Sequence, residues 1–326
     1  MGLLTSCLCA VTAFGLFSVD AHAVTYKLPE EYTISSRAAY LYNLDSETEV
    51  MSLNAQEKMP PASTAKIMTC LLALENTANL DTEIVHYPQA VFTEMNEFMA
   101  ATGLTSSDIS QADVQVGEEL TMRQALYCLM LQSDCYSAQA IARHIGEGDS
   151  AAFVEMMNTR AEELGAANTY FTNPHGLYEP EMVTTAYDLF LITKYAMQQP
   201  AFMDICSTPT IDIAPTNVAR HADQYRLIST IKTMIRGSDY YYEPIAGIKT
   251  GTLPEVGMNY VSTASKDGYN YLLVLMGAPA YDEEGNSLPE KAPFIDAKTI
   301  YDWAFECFEI KTLYEKGATV GQVNVN

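Results

Sequence analysis

The chain has 326 residues, of which 48% are hydrophobic, and this composition predicts one large or two ordinary globular domains rather than a disordered protein. Acidic residues outnumber basic residues 41 to 18, which gives a formal net charge of -23 at pH 7. Because a field of this sign repels phosphate groups, it disfavours nucleic acids and anionic lipid surfaces as partners.

The first 23 residues are typical of an export signal. An apolar run from Leu8 to Phe17 precedes Ala21 and Ala23, which form a small-x-small cleavage site before Val24. No Lys or Arg precedes the run, so the signal lacks its usual positively charged start. We therefore expect an exported protein that works outside the cytoplasm, in the cell envelope or periplasm.

The five cysteines that follow the predicted export signal indicate neither a disulfide framework nor a metal site. They are odd in number and irregularly spaced, at Cys70, Cys128, Cys135, Cys206 and Cys307. The chain has no Cys-x-x-Cys motif, and its five histidines are scattered. We expect buried free thiols and no metal or other cofactor.

The first elements after the signal are a hairpin and a helix. Two alternating runs, residues 38–43 and 50–54, flank a polar turn and predict a β-hairpin. Pro60 and Pro61 then precede apolar residues at helical spacing, which predict a helix that includes Ile67.

The middle of the chain is predicted to be helical. Helical spacing extends over residues 121–148, with Thr121 as N-cap and an interruption at residues 133–135. Further helices are predicted at residues 151–164 and 184–197, with an ordered loop between them.

Strands return near the end of the chain. Residues 245–252, 258–266 and 269–277 read as strands, the last two joined by an Asp-Gly turn, and a helix follows at 292–308. This order predicts an α+β fold in which both ends of the chain build one antiparallel sheet around an all-helical insert. The tail at 309–326 has a strand-like rhythm, as if it began a further β-domain.

Ser63 and Lys66 form the first candidate motif. On a helix, two residues at this spacing share a face, so Lys66 can reach the Ser63 hydroxyl. A partly desolvated lysine favours its neutral amine, which can accept the serine proton, and a helix start favours negative charge. The spacing alone is weak, since Ser229 and Lys232 share it and a snorkelling lysine beside a helix serine would look the same.

The second candidate motif is the segment 249–252, Lys-Thr-Gly-Thr, on a predicted strand. A glycine in mid-strand usually means that another backbone or a ligand approaches closely. A cation, a hydroxyl and a bare glycine in succession can bind a carboxylate and align a substrate along the strand edge. Lys232 and Lys311 also precede a threonine, but only Thr250 is followed by glycine.

Ser133 is the third candidate, at the break between two helices. It could pass a proton to a leaving group, or it could simply cap the next helix, which is the commoner role of an isolated serine.

In this order the three motifs resemble Ser-x-x-Lys, Ser-x-Asn and Lys-Thr-Gly of the serine penicillin-recognising enzymes. The segments MPPASTAKIMT, NPHGLYEPEMVTTAYDL and GIKTGTLPEVGMNYVSTAS are similar to the D-alanyl-D-alanine carboxypeptidases of the low-molecular-mass penicillin-binding class. The resemblance covers roughly residues 32–308. It implies the β-lactamase/transpeptidase-like fold, with residues 24–308 as the catalytic domain.

The resemblance implies a serine acyl transfer. Ser63 would attack the carbonyl between the two terminal D-alanines of a peptidoglycan stem pentapeptide, with Lys66 as general base. Backbone N–H groups of Ser63 and Thr252 would form the oxyanion hole, and water would release a tetrapeptide. β-Lactam antibiotics would acylate the same serine as covalent inhibitors.

The other motif residues would serve the leaving group and the substrate. By the same resemblance, Ser133 would pass the proton to the departing D-alanine, assisted by the field of Lys249. Thr250 would bind the terminal carboxylate, and Cys135 and Gly251 would contact the substrate.

Cys135 departs from the family pattern, which usually has asparagine there. A thiol is a weaker hydrogen-bonding group than an amide, so we expect Lys66 to be held less firmly. We also expect deacylation to differ from that of family members with asparagine at this position. His175, in the loop NPHGL, is expected to fix loop geometry by hydrogen bonding rather than to catalyse.

Three alternatives remain open from the sequence. A class A-like β-lactamase would activate water with a loop carboxylate such as Glu179 or Glu181. A DD-transpeptidase or endopeptidase would share every residue named above. In a non-catalytic peptidoglycan-binding module, Cys135 would be a sign that the catalytic motif has decayed. Family members often continue into a C-terminal β-domain and a membrane anchor, and peripheral membrane association is expected on that analogy alone.

Overall fold

The computed structural model describes residues 26–308, so the predicted export signal and the predicted tail lie outside the described range. Its strands, in chain order, are β1 (Ala38–Asn43), β2 (Thr48–Leu53), β3 (Ile84–His86), β4 (Glu119–Thr121), β5 (Thr210–Ile213), β6 (Tyr225–Ile228), β7 (Ile245–Leu253), β8 (Gly257–Lys266) and β9 (Tyr269–Ala278). Its α-helices are α1 (Lys66–Asn76), α2 (Gln89–Thr102), α3 (Met122–Leu131), α4 (Cys135–Ile145), α5 (Ser150–Glu163), α6 (Ala186–Ala196), α7 (Pro200–Cys206) and α8 (Ala292–Cys307).

A five-stranded antiparallel sheet forms the centre of the fold, in the order β2-β1-β9-β8-β7. The first two strands come from the start of the described chain and the other three from its end, as the sequence predicted. Asp267 and Gly268, with φ of 53° and 86°, form the turn between β8 and β9. Positive φ at both positions is the geometry that Asp-Gly favours in a tight hairpin.

Two apolar cores lie on opposite faces of this sheet. On one face, Leu41 and Leu273 pack with Ile300 of α8. On the other face, Tyr40 and Val274 pack toward α6 and the helical insert. Since successive strand residues point to opposite faces, a strand covered on both sides is buried throughout, and β1 is buried at every position.

The predicted helices are present, with ends shifted by one to three residues. Thr121 caps α3 as predicted, in a capping box with Gln124. The break before α4 is also confirmed, although Asp134 rather than Ser133 is its N-cap. The sequence analysis missed α2, α7 and the short strands β3 to β6. The α2 helix buries only three residues, Val91, Met95 and Met99, so its apolar pattern is weak.

None of the helices within residues 26–308 combines the length and the apolarity needed to cross a bilayer.

Candidate active site

Ser63 and Lys66 meet in a tight turn at the start of α1. Residues Ala62–Ala65 form a 3-10 helix, and α1 itself begins at Lys66. Ser63 thus lies at the helix start, as predicted, but in a 3-10 turn rather than in the α-helix itself. Because side chains three residues apart eclipse in 3-10 geometry, Lys66 Nζ lies 3.0 Å from Ser63 Oγ.

The Lys66 amine is fully buried and has three partners. Besides Ser63 Oγ, it donates to the backbone carbonyl of His175 and contacts Cys135 Sγ at 3.5 Å. The carbonyl is the stronger acceptor, because a thiol sulfur accepts hydrogen bonds weakly. Burial raises the pKa of Cys135, partly opposed by Lys66, so this thiol is held neutral.

Ser133 lies two residues before Cys135, which contacts Lys66, and it has a strained backbone conformation. Its φ is 59°, which is uncommon for a residue other than glycine. Its Oγ is buried and has no hydrogen-bond partner among the described residues. Asp134 holds the segment in place by accepting from the backbone of Ala112 at 3.0 Å and of Ser137 at 2.6 Å. A buried hydroxyl without a partner at a strained position is typical of a functional site.

The Lys-Thr-Gly-Thr segment lies on a strand, as predicted, and this strand, β7, forms one edge of the sheet. Lys249 is fully buried and donates to the Thr250 carbonyl at 3.0 Å. Burial lowers the pKa of Lys249 well below its usual value, and the nearby Lys66 lowers it further. The Thr250 hydroxyl pairs with that of Thr230 at 3.1 Å, and Thr252 is exposed at the end of the segment.

Gly251 and Gly176 let two backbones approach the nucleophile. A Cβ at Gly251 would lie 2.7 Å from the Ser63 nitrogen, closer than real contacts allow. A Cβ at Gly176 would lie 2.0 Å from the carbonyl oxygen of Ala62, and its φ of 80° also suits glycine. The serine turn is thus held between β7 and the NPHGL loop.

Two asparagines that the sequence analysis missed hold these neighbours in place. Asn259, on β8, donates to the carbonyls of Pro60 and Pro61, both at 3.0 Å. Asn173 accepts from the Gly176 backbone at 2.7 Å and donates to Glu179 at 2.9 Å. Both lie inside the segments quoted above, but an asparagine on a strand or in a loop carries no distinctive local signal.

The structure separates the other candidate residues from this cluster. Ser229 and Lys232 have the same spacing as Ser63 and Lys66 but do not meet. The Ser229 hydroxyl accepts from the Ile231 backbone, while Lys232 is exposed. Glu179 lines a different cavity, which does not include Ser63. Residues 26–308 contain no group of three or more side chains able to hold a metal ion. The described cysteines are free, and all but Cys307 are buried.

Comparison with known proteins agrees with this arrangement. A family model described as D-alanyl-D-alanine carboxypeptidase matches residues 23–280. The chain belongs to this family. It is therefore a serine peptidase, a hydrolase of the penicillin-binding class, and the resemblance inferred from the motifs is confirmed.

Relatives of this carboxypeptidase are found in several bacteria. It is 28% identical to the D-alanyl-D-alanine carboxypeptidase DacF of Bacillus subtilis, over 92% of this chain and 69% of the relative. A D-alanyl-D-alanine carboxypeptidase from a Streptomyces strain is 29% identical over 72% of this chain and 78% of its own. The crystal structure of a Streptomyces DD-transpeptidase superposes with a TM-score of 0.71 at 26% identity, over 84% of this chain and 98% of the other.

Proposed function

We propose that this D-alanyl-D-alanine carboxypeptidase acts through an acyl-enzyme on Ser63, with Lys66 as the general base. The observation that carries the proposal is the fully buried Lys66 amine 3.0 Å from Ser63 Oγ. At that distance the amine can accept the serine proton as Oγ bonds to the substrate carbonyl carbon.

The proton then travels to the leaving group. As the bond between the acyl carbon and the terminal D-alanine nitrogen breaks, Lys66 gives its proton to that nitrogen through Ser133. The partnerless hydroxyl of Ser133 supports this role, because a bound substrate amine would supply the missing partner. Water then attacks the acyl-enzyme, and a tetrapeptide leaves.

Lys249, Thr250, Gly251 and Thr252 would receive the substrate. Thr250 would bind the terminal carboxylate, and a bound carboxylate would favour the protonated form of Lys249 that burial disfavours in the free protein. The backbone N–H groups of Ser63 and Thr252 would hold the oxyanion. The close approach of β7 to the Ser63 nitrogen supports this pairing.

The substrates we propose are peptidoglycan stem pentapeptides, and the proposed covalent inhibitors are β-lactam antibiotics. The family's peptidoglycan chemistry implies work outside the cytoplasm. We propose that residues 1–23 direct export, that residues 24–308 are the catalytic domain, and that any association with a membrane involves the region that begins at residue 309.

Intact-mass measurement after incubation with a penicillin tests the assignment. We expect a persistent adduct that is absent from Ser63→Ala and present in Ser229→Ala, a matched control from the pair with the same spacing. A pentapeptide ending in D-Ala-D-Ala should lose one D-alanine with the same dependence on Ser63. Rapid loss of the adduct with an intact peptide would indicate a β-lactamase, and a chain that never labels would contradict the acyl-enzyme.

Transpeptidation is a second candidate, because a structural neighbour at 26% identity is a DD-transpeptidase. The named residues would be the same, and only the acceptor would differ. Pentapeptide turnover with excess glycine as acceptor separates the two reactions: a product carrying the acceptor indicates transfer, and free tetrapeptide indicates hydrolysis.

A further inference from the structure

A cavity lies next to the loop that carries His175. It has a volume of about 400 Å³, and its walls come from α2, α4, the start of α5 and residues 170–179. Phe98 and Val154 supply apolar surface, while Ser63, Lys66 and Lys249 are absent from its lining. The NPHGL loop therefore separates this space from the catalytic residues.

His175 lines this cavity, and one nitrogen of its ring has no hydrogen-bond partner among the described residues. The residue is 2% exposed, and its ring lies edge-on to Phe98 with centroids 4.8 Å apart. Nδ1 accepts from the Leu177 backbone at 3.2 Å, and burial lowers the pKa of His175 well below its usual value. The ring is thus neutral, and its proton is on Nε2. No hydrogen-bond partner of Nε2 is found among the described residues.

The rim of the cavity carries negative charge. Glu94, Glu155 and Glu179 line it, and no lysine or arginine of the described chain does so. Glu94 is already paired with Arg143. Glu179 takes a hydrogen bond from Asn173 on one oxygen, which leaves the other free to accept. Carboxylates at the rim and a neutral N–H in the wall suit a ligand that carries both an ammonium and an acceptor.

We propose that this cavity binds a small zwitterionic amino acid, with its carboxylate on His175 Nε2 and its ammonium beside Glu179 and Glu155. A ligand of this size fits within about 400 Å³. The site is distinct from the acyl-transfer centre, so its occupancy does not depend on Ser63.

Occupancy would reach the catalytic residues through one residue. His175 lines the cavity with its ring against Phe98, another lining residue, while the backbone carbonyl of His175 accepts from Lys66 Nζ. A ligand that accepts a hydrogen bond from the His175 ring would shift the His175 carbonyl, which holds Lys66, the proposed general base. Because small displacements of reacting groups change rates strongly, binding should alter the rate of acylation.

D-alanine is the first probe, since the family's reaction releases it. A ligand-detected NMR titration would be performed on the free protein and on the penicillin-treated protein, in which the adduct fills the catalytic groove. We expect D-alanine to bind both forms with similar affinity. D-lactate, which has a hydroxyl in place of the ammonium, should bind at least about tenfold more weakly.

Variants locate the site. Ala151→Phe fills the cavity and Glu179→Gln removes a rim charge, and each should weaken D-alanine binding at least about tenfold. Ala100→Phe and Glu97→Gln, at exposed positions on α2 outside the cavity, are the matched controls and should bind normally. Saturating D-alanine should change the penicillin acylation rate of the control variants and leave that of Ala151→Phe unchanged.

Three outcomes would overturn the proposal. They are an absence of binding to the penicillin-treated protein, equal binding of D-lactate, and normal binding by Ala151→Phe. Failure of the protein to form a penicillin adduct would contradict the proposed acyl-enzyme instead. Binding to the cavity would then be judged from the variants of the free protein alone.

Discussion

At the scale of single residues, the partners of Lys66 differ in strength. The His175 carbonyl and the Ser63 hydroxyl are good acceptors, whereas Cys135 Sγ, at 3.5 Å, is a poor one. The amine is therefore positioned mainly by the loop and by the nucleophile. This explains how the site retains its geometry although an asparagine is missing at position 135.

We predict that Cys135→Ala slows penicillin acylation by less than about tenfold, because it removes only a weak contact. Lys66→Gln should slow it by more than about a thousandfold, since it removes the base. Labelling rates with a fluorescent penicillin provide the measurement, and Cys70→Ala, another buried thiol, is the control. Equal losses in Cys135→Ala and Lys66→Gln would show that the thiol is essential.

Lys249 makes folding stability depend on pH. Its pKa in the folded state is lowered, first by burial and then by Lys66. Between that value and the unfolded value of about 10.5, the unfolded chain binds one more proton than the folded chain. The contribution of Lys249 to stability therefore rises with pH through this window and is least favourable below it.

We predict that Lys249→Met raises the free energy of unfolding at pH 7 by about 1–3 kcal/mol, because it removes the cost of burying an amine whose charged form burial disfavours and keeps a side chain of similar length. It should also flatten the change in stability between pH 7 and 10, and it should slow acylation. Urea denaturation across this range tests the prediction. Lys232→Met, at an exposed site, should have none of these three effects, and a destabilised Lys249→Met would contradict the argument.

At the scale of elements, the site depends on how closely β7 and the NPHGL loop approach the serine turn. Neither approach allows a side chain at the contacting position, as the Cβ clashes at Gly251 and Gly176 show. The two contacts fix the turn from both sides, which satisfies the need for a nucleophile held in one orientation.

We predict that Gly251→Ala slows acylation by more than about a hundredfold, since displacement of a nucleophile by about 1 Å has effects of that size. The protein should still fold, with a loss of about 1–3 kcal/mol. Gly268→Ala is the matched control: its φ of 86° is also unfavourable for alanine, but nothing lies within 4 Å of the added carbon. If both variants acylate normally, the close approach does not position the serine.

At the scale of the whole molecule, the two ends of the described chain hold each other. Asp296 of α8 is buried and accepts from the backbone of Ser35 at 3.0 Å and of Ser36 at 2.8 Å, and from the Ser36 hydroxyl at 2.6 Å. These bonds connect α8 to the segment that leads into β1. The α8 helix also covers one face of the sheet, where it packs on β8 and β9.

We predict that Asp296→Ala lowers the free energy of unfolding by about 2–4 kcal/mol, because it leaves buried donors without an acceptor. The folded protein should acylate at the normal rate. Chemical denaturation and penicillin labelling provide the two measurements, with Asp108→Ala at an exposed loop as the control. A slower acylation rate in folded Asp296→Ala would instead connect α8 with the catalytic residues.

The sequence by itself determined the strands β1 and β7 to β9, the Asp-Gly turn, the Thr121 cap and the three motifs. All of these depend on residues close together in the chain, whose spacing fixes a shared face or a turn. The weakly patterned α2 and the short strands were missed, because tertiary contacts rather than local periodicity stabilise them.

Only the tertiary structure decided the partners of Lys66, the partnerless state of Ser133, the positions of Asn173 and Asn259, and the separate cavity next to His175. The contacts of Lys66 with Cys135 and His175 and those of Asn259 join residues more than 60 positions apart, and the cavity is a space that no single segment encloses. The sequence specifies which groups are available, but their distances, burial and pKa values arise when the sheet and the helical insert pack together.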